Sequence, residues 1–385
     1  MEIKPLMLAG LLSALVPHAA LGNQPPSRPV AIVSIHMVSP LVGWGVSIRS
    51  VLHTSDGGRY WKIMRSLGNA PDGQIAALAA RDANRAWVVV PTRSRSSSAY
   101  PGSVVVSTID GGRTWRSSRP LRGSSPPLES IAAGSPSINF VDALHGWVVT
   151  TEGAGAGSAA HDLYSTVDGG VTWRLIEYNR LADHASRGSL PSCDCLGGIS
   201  FQSTRTGWAT GLSGADPSLT ILYRSADGGR TWRRQKLPLP VGYRRDNIAT
   251  APPAFFGTDG VLPVHLTTPS AFVLYRTHNG GSSWLPTTPI RTPSGNNQDI
   301  ADAMALTARL VWTWVGSTLY RTADGGVRWQ PIAHHLQLQG TPEIQFVTPT
   351  IGYAGGEFTG EGTGRPYILH SIDGGRIWSK VYTSA

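Results

Sequence analysis

The sequence predicts an all-β protein: a seven-bladed β-propeller with four antiparallel strands per blade. Three observations carry this. One eight-residue pattern, Ser/Thr-x-Asp/Asn-Gly-Gly-x-x-Trp, recurs seven times in 385 residues. An apolar strand followed by Gly-Trp (Gly43-Trp44, Gly146-Trp147, Gly207-Trp208) or the variants Ala86-Trp87 and Gly352-Tyr353 precedes most copies. The 45 Gly, 28 Pro and 13 Trp fit short strands and turns around buried aromatics, not a helical bundle or a disordered chain. Two Cys exclude a disulfide-dense scaffold. No apolar run reaches the ~18 residues of a membrane-spanning helix.

Residues 1–22 read as a secretory signal. Lys4 precedes an apolar stretch from Leu6 to Val16, and Ala20-Leu21-Gly22 offers small residues at the cleavage-determining positions. Such a stretch rises only ~16 Å as a helix, against a ~30 Å hydrocarbon core. The mature chain is expected to begin near Asn23, and residues 23–385 to form one propeller.

The seven copies centre on Asp56, Asp110, Asp168, Asp227, Asn279, Asp324 and Asp373, and end at Trp61, Trp115, Trp173, Trp232, Trp284, Trp329 and Trp378. Their spacings are 54, 58, 59, 52, 45 and 49 residues, and the shortest leaves no room for a hidden blade. The expected blades span about 28–68, 74–120, 137–178, 197–238, 252–289, 300–334 and 342–385. A linear β-solenoid, the rival architecture, has shorter repeats.

Each copy reads as the turn of a β-hairpin. Asp-Gly is a strong two-residue turn signal because Gly tolerates positive φ. The Asp carboxylate accepts bonds from turn N–H groups, and the Ser/Thr hydroxyl ties the loop further. Repeat 4 shows the full unit: Ile199–Phe201, Trp208–Gly211, Thr220–Arg224 and Trp232–Gln235 as strands 1 to 4. Blade 5 is the most degenerate, with Asn279 for Asp and Gly260-Val261 for Gly-Trp. Blade 1 begins with its own strand 1 and blade 7 ends with its own strand 4, so the ring is expected to close by blade-to-blade packing.

The pattern Ser/Thr-x-Asp-x-Gly-x-x-Trp is the Asp-box, or BNR repeat, of sialidases, sortilin-type receptors, xyloglucanases and photosystem II stability/assembly factors. The longer unit, Phe140-Val-Asp-Ala-Leu-His-Gly-Trp147 then Leu163-Tyr-Ser-Thr-Val-Asp-Gly-Gly-Val-Thr-Trp173, most resembles the assembly factors. The resemblance covers essentially the whole mature chain. It implies an exported, non-enzymatic propeller that binds a membrane protein, in part through arginines. Relatives also occur in non-photosynthetic bacteria. Unlike the cyanobacterial form, this chain has no lipobox Cys near the cleavage site.

In a propeller the 1–2 and 3–4 turns share one face, and the 2–3 and 4–1 loops share the other. The Asp-box face is therefore expected to be scaffold. The long loops opposite, Thr92–Gly102, Ser117–Pro136, Thr151–Asp162, Tyr178–Gly197, Pro238–Pro253, Thr287–Asp299 and Gly355–Pro366, are expected to carry binding. A glycosidase needs two positioned carboxylates, or a Tyr nucleophile with a Glu base. Loop-face acids include Glu152, Glu177, Asp183, Asp246, Glu357 and Glu361. Glu357 and Glu361 lie on a Gly-rich segment that would position them poorly, and the sialidase Phe/Tyr-Arg-Ile-Pro motif is missing. A carbohydrate-active hydrolase or a glycan-binding propeller stands as the alternative to a non-catalytic docking scaffold. Cys193-Asp-Cys195 allows a strained disulfide, two free thiols or, with His184, a non-standard metal site. No cofactor and no resident metal are expected.

Of 33 basic residues, 29 are Arg and four Lys, and the net charge is +9. Arg makes planar bidentate contacts with carboxylates and phosphates. Arg93, Arg95, Arg119 and Arg122 form one basic sector around blade 2. Arg233, Arg234, Lys236, Arg244 and Arg245 form another between blades 4 and 5. The outer-strand residues Arg233 and Arg234 protect an edge. Arg244 and Arg245, beside Tyr243, fit a contact patch. The expected partner is an extracytoplasmic protein or membrane-protein segment, acidic in character, or an anionic surface, and not nucleic acid. A monomer is expected.

Overall fold

A computed structural model of the chain describes residues 30–68, 76–92, 102–121, 136–155, 158–179, 186–187, 189–190, 194–213, 216, 218–292, 303–334, 343–355 and 367–383. Seven antiparallel sheets follow one another in chain order and pack into a ring, a seven-bladed β-propeller. Blade 1 runs Ile32–Met37, Gly43–Ser47, Ser50–Thr54, Lys62–Ser66. Blade 7 runs Glu343–Phe346, Gly352–Gly355, Tyr367–Ser371, Ser379–Thr383. First strands meet around the centre: the Phe201 N–H donates to Asn139 Oδ1 (3.0 Å), and the Met37 N–H to Gln345 Oε1 (2.6 Å). Fourth strands lie outermost, with Lys62, Arg116, Arg233 and Leu285 exposed.

The ring closes as expected, by packing of blade 7 against blade 1. Ile35 N–H and Met37 N–H donate to Glu343 and Gln345, Gln345 Nε2 donates back to Met37 O, and the Tyr382 hydroxyl bonds both N–H and O of Val30 at 2.7 Å.

The seven Asp-Gly-Gly loops are longer than two-residue turns: in blade 1 strand 3 ends at Thr54 and strand 4 starts at Lys62. Both glycines take positive φ, 78° and 82° at Gly57 and Gly58, where a side chain would be strained. In every blade the first glycine's N–H donates to a carbonyl of the same blade's 1–2 turn at 2.8–3.0 Å. The two turns are thereby locked together on one face.

Neighbouring blades are joined by a recurring aromatic set. The strand-2 Trp of one blade stacks on the strand-1 Phe of the next: Trp147 on Phe201 at 3.7 Å, Trp87 on Phe140 at 3.9 Å, Trp312 on Phe346 at 3.9 Å. The next blade's loop Trp meets that Phe edge-on, as Trp232 meets Phe201 at 6.0 Å. Such pairs add ~0.5–1.5 kcal/mol beyond burial. Two indoles then satisfy two adjacent loop carbonyls. Trp147 Nε1 donates to Gly228 O across the interface (2.9 Å), and Trp232 Nε1 donates to Gly229 O within its own loop (3.0 Å).

This packing explains the glycine of Gly-Trp. A Cβ on Gly146 would stand 2.6 Å from the Phe140 ring, and one on Gly207 would stand 2.4 Å from Phe201. Where strand 1 ends instead in Ala80 or Ala305, strand 2 opens with Ala86 or Val311.

Blade 5 departs most, and its sheet has six strands. Its inner edge is split into Ala249–Thr250 and Ala254–Phe256, and its outer edge into Leu285–Pro286 and Ile290–Arg291. The blade-5 segments Ala249–Thr250 and Ile290–Arg291 fall in the predicted loops Pro238–Pro253 and Thr287–Asp299, and two further predicted loops also prove partly strand. Thr151–Asp162 continues as the hairpin Gly146–Gly155 and Ser158–Thr166. Tyr178–Gly197 contains a short fifth strand of blade 3, Ser186–Arg187, and the start of Asp194–Phe201. In blade 4 the third and fourth strands are Leu222–Ser225 and Arg233–Arg234, shorter than predicted.

Candidate partner-binding surface

The loop Asp residues serve the fold. Each Ser/Thr hydroxyl donates to its own Asp or Asn Oδ1 at 2.7–2.9 Å and accepts from the second glycine's N–H at 2.8–3.0 Å. The Thr114 hydroxyl and N–H hold the Asp110 carboxyl down to about 2. At Asp168 and Asp227 burial pushes the carboxyl up, yet bonds from Thr172 and Thr231 outweigh it and leave both lowered. Asn279 keeps the geometry as a neutral acceptor, taking the Ser283 N–H at 3.0 Å.

On the opposite face, the loop between blades 4 and 5 is pinned along its length. The Tyr275 hydroxyl donates to Pro238 O (2.8 Å), and the Arg244 N–H to Thr268 O (3.0 Å). Thr267 Oγ1 donates to Asp246 O (2.6 Å), and Thr268 Oγ1 to Asp246 Oδ2 (3.0 Å). Tyr243 is half-buried against the core between blades 4 and 5. The arginine pair divides. Both are exposed, but Arg245 spends its guanidinium on Thr220 Oγ1 (2.9 Å) and Leu237 O (2.7 Å), whereas Arg244 stands beside a fully exposed Val241.

Arg119 is exposed at the rim of blade 2, where Leu121 and Ser103 exchange backbone bonds. Arg93, Arg95 and Arg122 lie outside the described residues, as do Cys193, Asp183, Glu357 and Glu361. Cys195 pairs with Leu212 in the first two strands of blade 4. Arg233 and Arg234 form the predicted exposed outer strand.

One acid changes role. Glu177, expected on the loop face, is fully buried in strand 4 of blade 3, with His161 Nε2 at 3.2 Å. Strand 4 continues to Asn179 and carries Glu177 inside. Several other described acids outside the Asp-Gly-Gly loops have partners too. Asp82 meets Arg85 at 2.8 Å, Asp259 meets His278 at 2.7 Å, and Ser218 holds Asp216 below the usual carboxylate range, with Arg234 adding to it.

Clefts among the described residues include two away from the Tyr243–Arg245 loop. One of about 430 Å³ lies at the inner ends of blades 3 to 5, between Phe140, Phe201 and Phe255. Another of about 490 Å³ lies on the rim of blades 5 and 6, between Arg276, Leu285 and Val327. Neither was visible as a motif. Strand 2 of blade 5 carries Val261 where five blades have Trp and blade 7 has Tyr353, and that substitution is the sequence signal nearest the rim cleft.

No protein-family model and no curated protein matches the sequence. Solved structures do. One, described as YCF48 bound to D1 peptide, is 16% identical, with 90% of this chain and 94% of that chain covered and a TM-score of 0.50. The GH74 xyloglucanase from Xanthomonas campestris is 14% identical, with 92% of this chain and 55% of that chain covered and a TM-score of 0.55. The chain thus spans about half of that enzyme. Identities this low speak to architecture alone: the chain is a seven-bladed β-propeller whose structural neighbours include YCF48 and glycoside-hydrolase propellers.

Proposed function

We propose that the chain is an exported, non-catalytic propeller that captures an acidic protein segment on the face opposite its Asp-Gly-Gly loops. Residues 1–22 direct export, and the mature chain starts near Asn23. The observation that carries the reading is the Tyr243–Arg245 loop. Its backbone is tied down by Tyr275, Thr267 and Thr268, and Arg245 acts as an internal clamp, so Arg244 is displayed with little left to order on binding. The fold-level likeness to a YCF48 that holds a D1 peptide, together with the motif resemblance to photosystem assembly factors, supports a peptide as the first class of ligand to test.

One acid supports a non-catalytic role: Glu177, a candidate for glycosidase chemistry by sequence, is sealed inside strand 4 of blade 3, where no sugar can reach it.

The test uses the exported protein, whose mass reads the cleavage point, in titrations against labelled acidic and uncharged peptides. The acidic peptide binds more tightly, the difference shrinks with salt, and Arg244→Glu weakens binding about tenfold or more. Equal binding by wild type and Arg244→Glu defeats the assignment. Release of reducing sugar from a glycan panel defeats the non-catalytic reading.

A further inference from the structure

The face expected to be plain scaffold is not uniform. Among the described residues, nine of the fifteen exposed large hydrophobic side chains lie in the Asp-Gly-Gly loops or 1–2 turns of blades 6, 7, 1, 2 and 3, which are consecutive through the ring closure. Their exposures run from 42% to 73%. Val327, Ile372, Ile377, Tyr60, Ile109 and Val167 mark the arc. Over the three variable positions of the loop, blade 4 carries Ala226, Arg230 and Thr231 and blade 5 carries His278, Ser282 and Ser283, all exposed and none a large hydrophobic; Phe256, 36% exposed beside the 1–2 turn of blade 5, is the nearest apolar group there. Single exposed hydrophobics need no explanation, but a one-sided run across five blades does.

The same loops expose their charges unequally. Arg59, Arg113, Arg328 and Arg376 are exposed, while Asp56, Asp110, Asp324 and Asp373 are only partly so. The carboxylates are turned into their loops. Asp56 accepts the Arg59 and Tyr60 N–H groups, and Asp373 those of Arg376 and Ile377, at 3.0 Å each. The groups this face leaves most exposed are thus arginines and aliphatic tips, with Arg59 and Arg376 each also donating Nη1 to a loop Asp carbonyl, at 3.0 and 2.9 Å.

We infer that the Asp-Gly-Gly face docks on an anionic lipid surface, with the loop tips of blades 6, 7, 1, 2 and 3 in the headgroup layer. The tips stand on separate loops spread over five blades. A fluid interface accepts scattered shallow insertions, each adding apolar burial, while the arginines meet the lipid phosphates. A bound peptide would need contiguous pockets. The opposite face, with Arg244, is then left free in solution.

The test is co-sedimentation of the full chain with phosphatidylcholine vesicles, with and without phosphatidylglycerol. Wild type and variants share residues 1–22, so any partitioning by that segment cancels. Phosphatidylglycerol raises partitioning about tenfold. Ile372→Ser/Ile377→Ser lowers it about tenfold, at an unchanged melting temperature because both side chains are exposed. Arg113→Glu/Arg328→Glu removes the phosphatidylglycerol dependence, and Arg244→Glu changes nothing. The inference is overturned if the isoleucine variant partitions like wild type, if the two vesicle types bind equally, or if no variant-sensitive binding occurs. A concentration-dependent dimer lost in the isoleucine variant, without vesicle binding, reassigns the face to a second copy of the chain and likewise overturns it.

Discussion

The interface between blades 3 and 4 and the one between blades 5 and 6 solve the same packing problem with different residues. In the first, Trp147 stacks on Phe201, Trp232 closes edge-on, and both indole N–H groups cap loop carbonyls. In the second, Val261 stands for the strand-2 Trp and Ala305 for the strand-1 Phe. Phe272 meets Trp329 edge-on at 5.7 Å instead. The Gly326 carbonyl there takes the Thr288 backbone N–H (3.2 Å), and the buried Trp329 Nε1 has no hydrogen-bond partner. Between blades 4 and 5 the solution is intermediate. The Gln235 amide relays from Trp208 Nε1 (3.0 Å) to Gly281 O (2.8 Å). The repeat specifies carbonyls that must be capped and leaves open what caps them.

The sharpest way to break the comparison is truncation at each interface. Trp147→Ala removes a stacked ring and a cross-interface bond, and should cost about 3–5 kcal/mol in chemical denaturation. Val261→Ala removes far less and should cost about 1–2 kcal/mol. Equal costs would show that the stacked set is not what holds the ring. Native-state hydrogen exchange reads the difference without mutation. Amides in strands 3 and 4 of blade 5 should exchange about tenfold faster than those of blade 4, and uniform protection would contradict this.

The smallest effect sharpens the comparison by repair. Asn279→Asp restores a carboxylate where the Ser283 N–H and the Thr277 hydroxyl already donate. It should stabilise by about 0.5–1 kcal/mol. The loop carboxylates that shift are lowered in the folded state, Asp110 to about 2. Their contribution is therefore complete above the unfolded value of about 3.9 and is lost as pH falls through the folded one. The gain from Asn279→Asp should follow the same course in thermal melts from pH about 5 down to 2. A gain that persists in acid would show that charge is not its source.

Much of the architecture was legible because turns need specific backbone chemistry. Seven Asp-Gly-Gly loops announced seven hairpins, and Gly146-Trp147 or Gly207-Trp208 announced strand 2. Partnerships across blades were not legible. Nothing near Gly146 in sequence says that it makes room for Phe140, or that Gln235 serves two tryptophans. Glu177 looked like a loop acid because charge alone does not show that strand 4 of blade 3 runs on to Asn179. The candidate site was legible at half strength. Tyr243-Arg244-Arg245 stood out as a cluster, but only the fold shows that Arg245 holds the loop and Arg244 faces out. The apolar tips were hidden by their variability, since Ile109, Val167 and Ile372 occupy a position that the repeat leaves free.

The Tyr382–Val30 contact has a consequence for how the molecule comes apart. A linear stack of repeats frays from its terminal units, because each of those has one neighbour. Joining blade 7 to blade 1 gives every blade two neighbours and leaves the array without an end unit. To release any single blade, two interfaces must be opened at once. Local opening is therefore penalised twice everywhere, and even the weak seam beside blade 5 is braced by the blade on its other side.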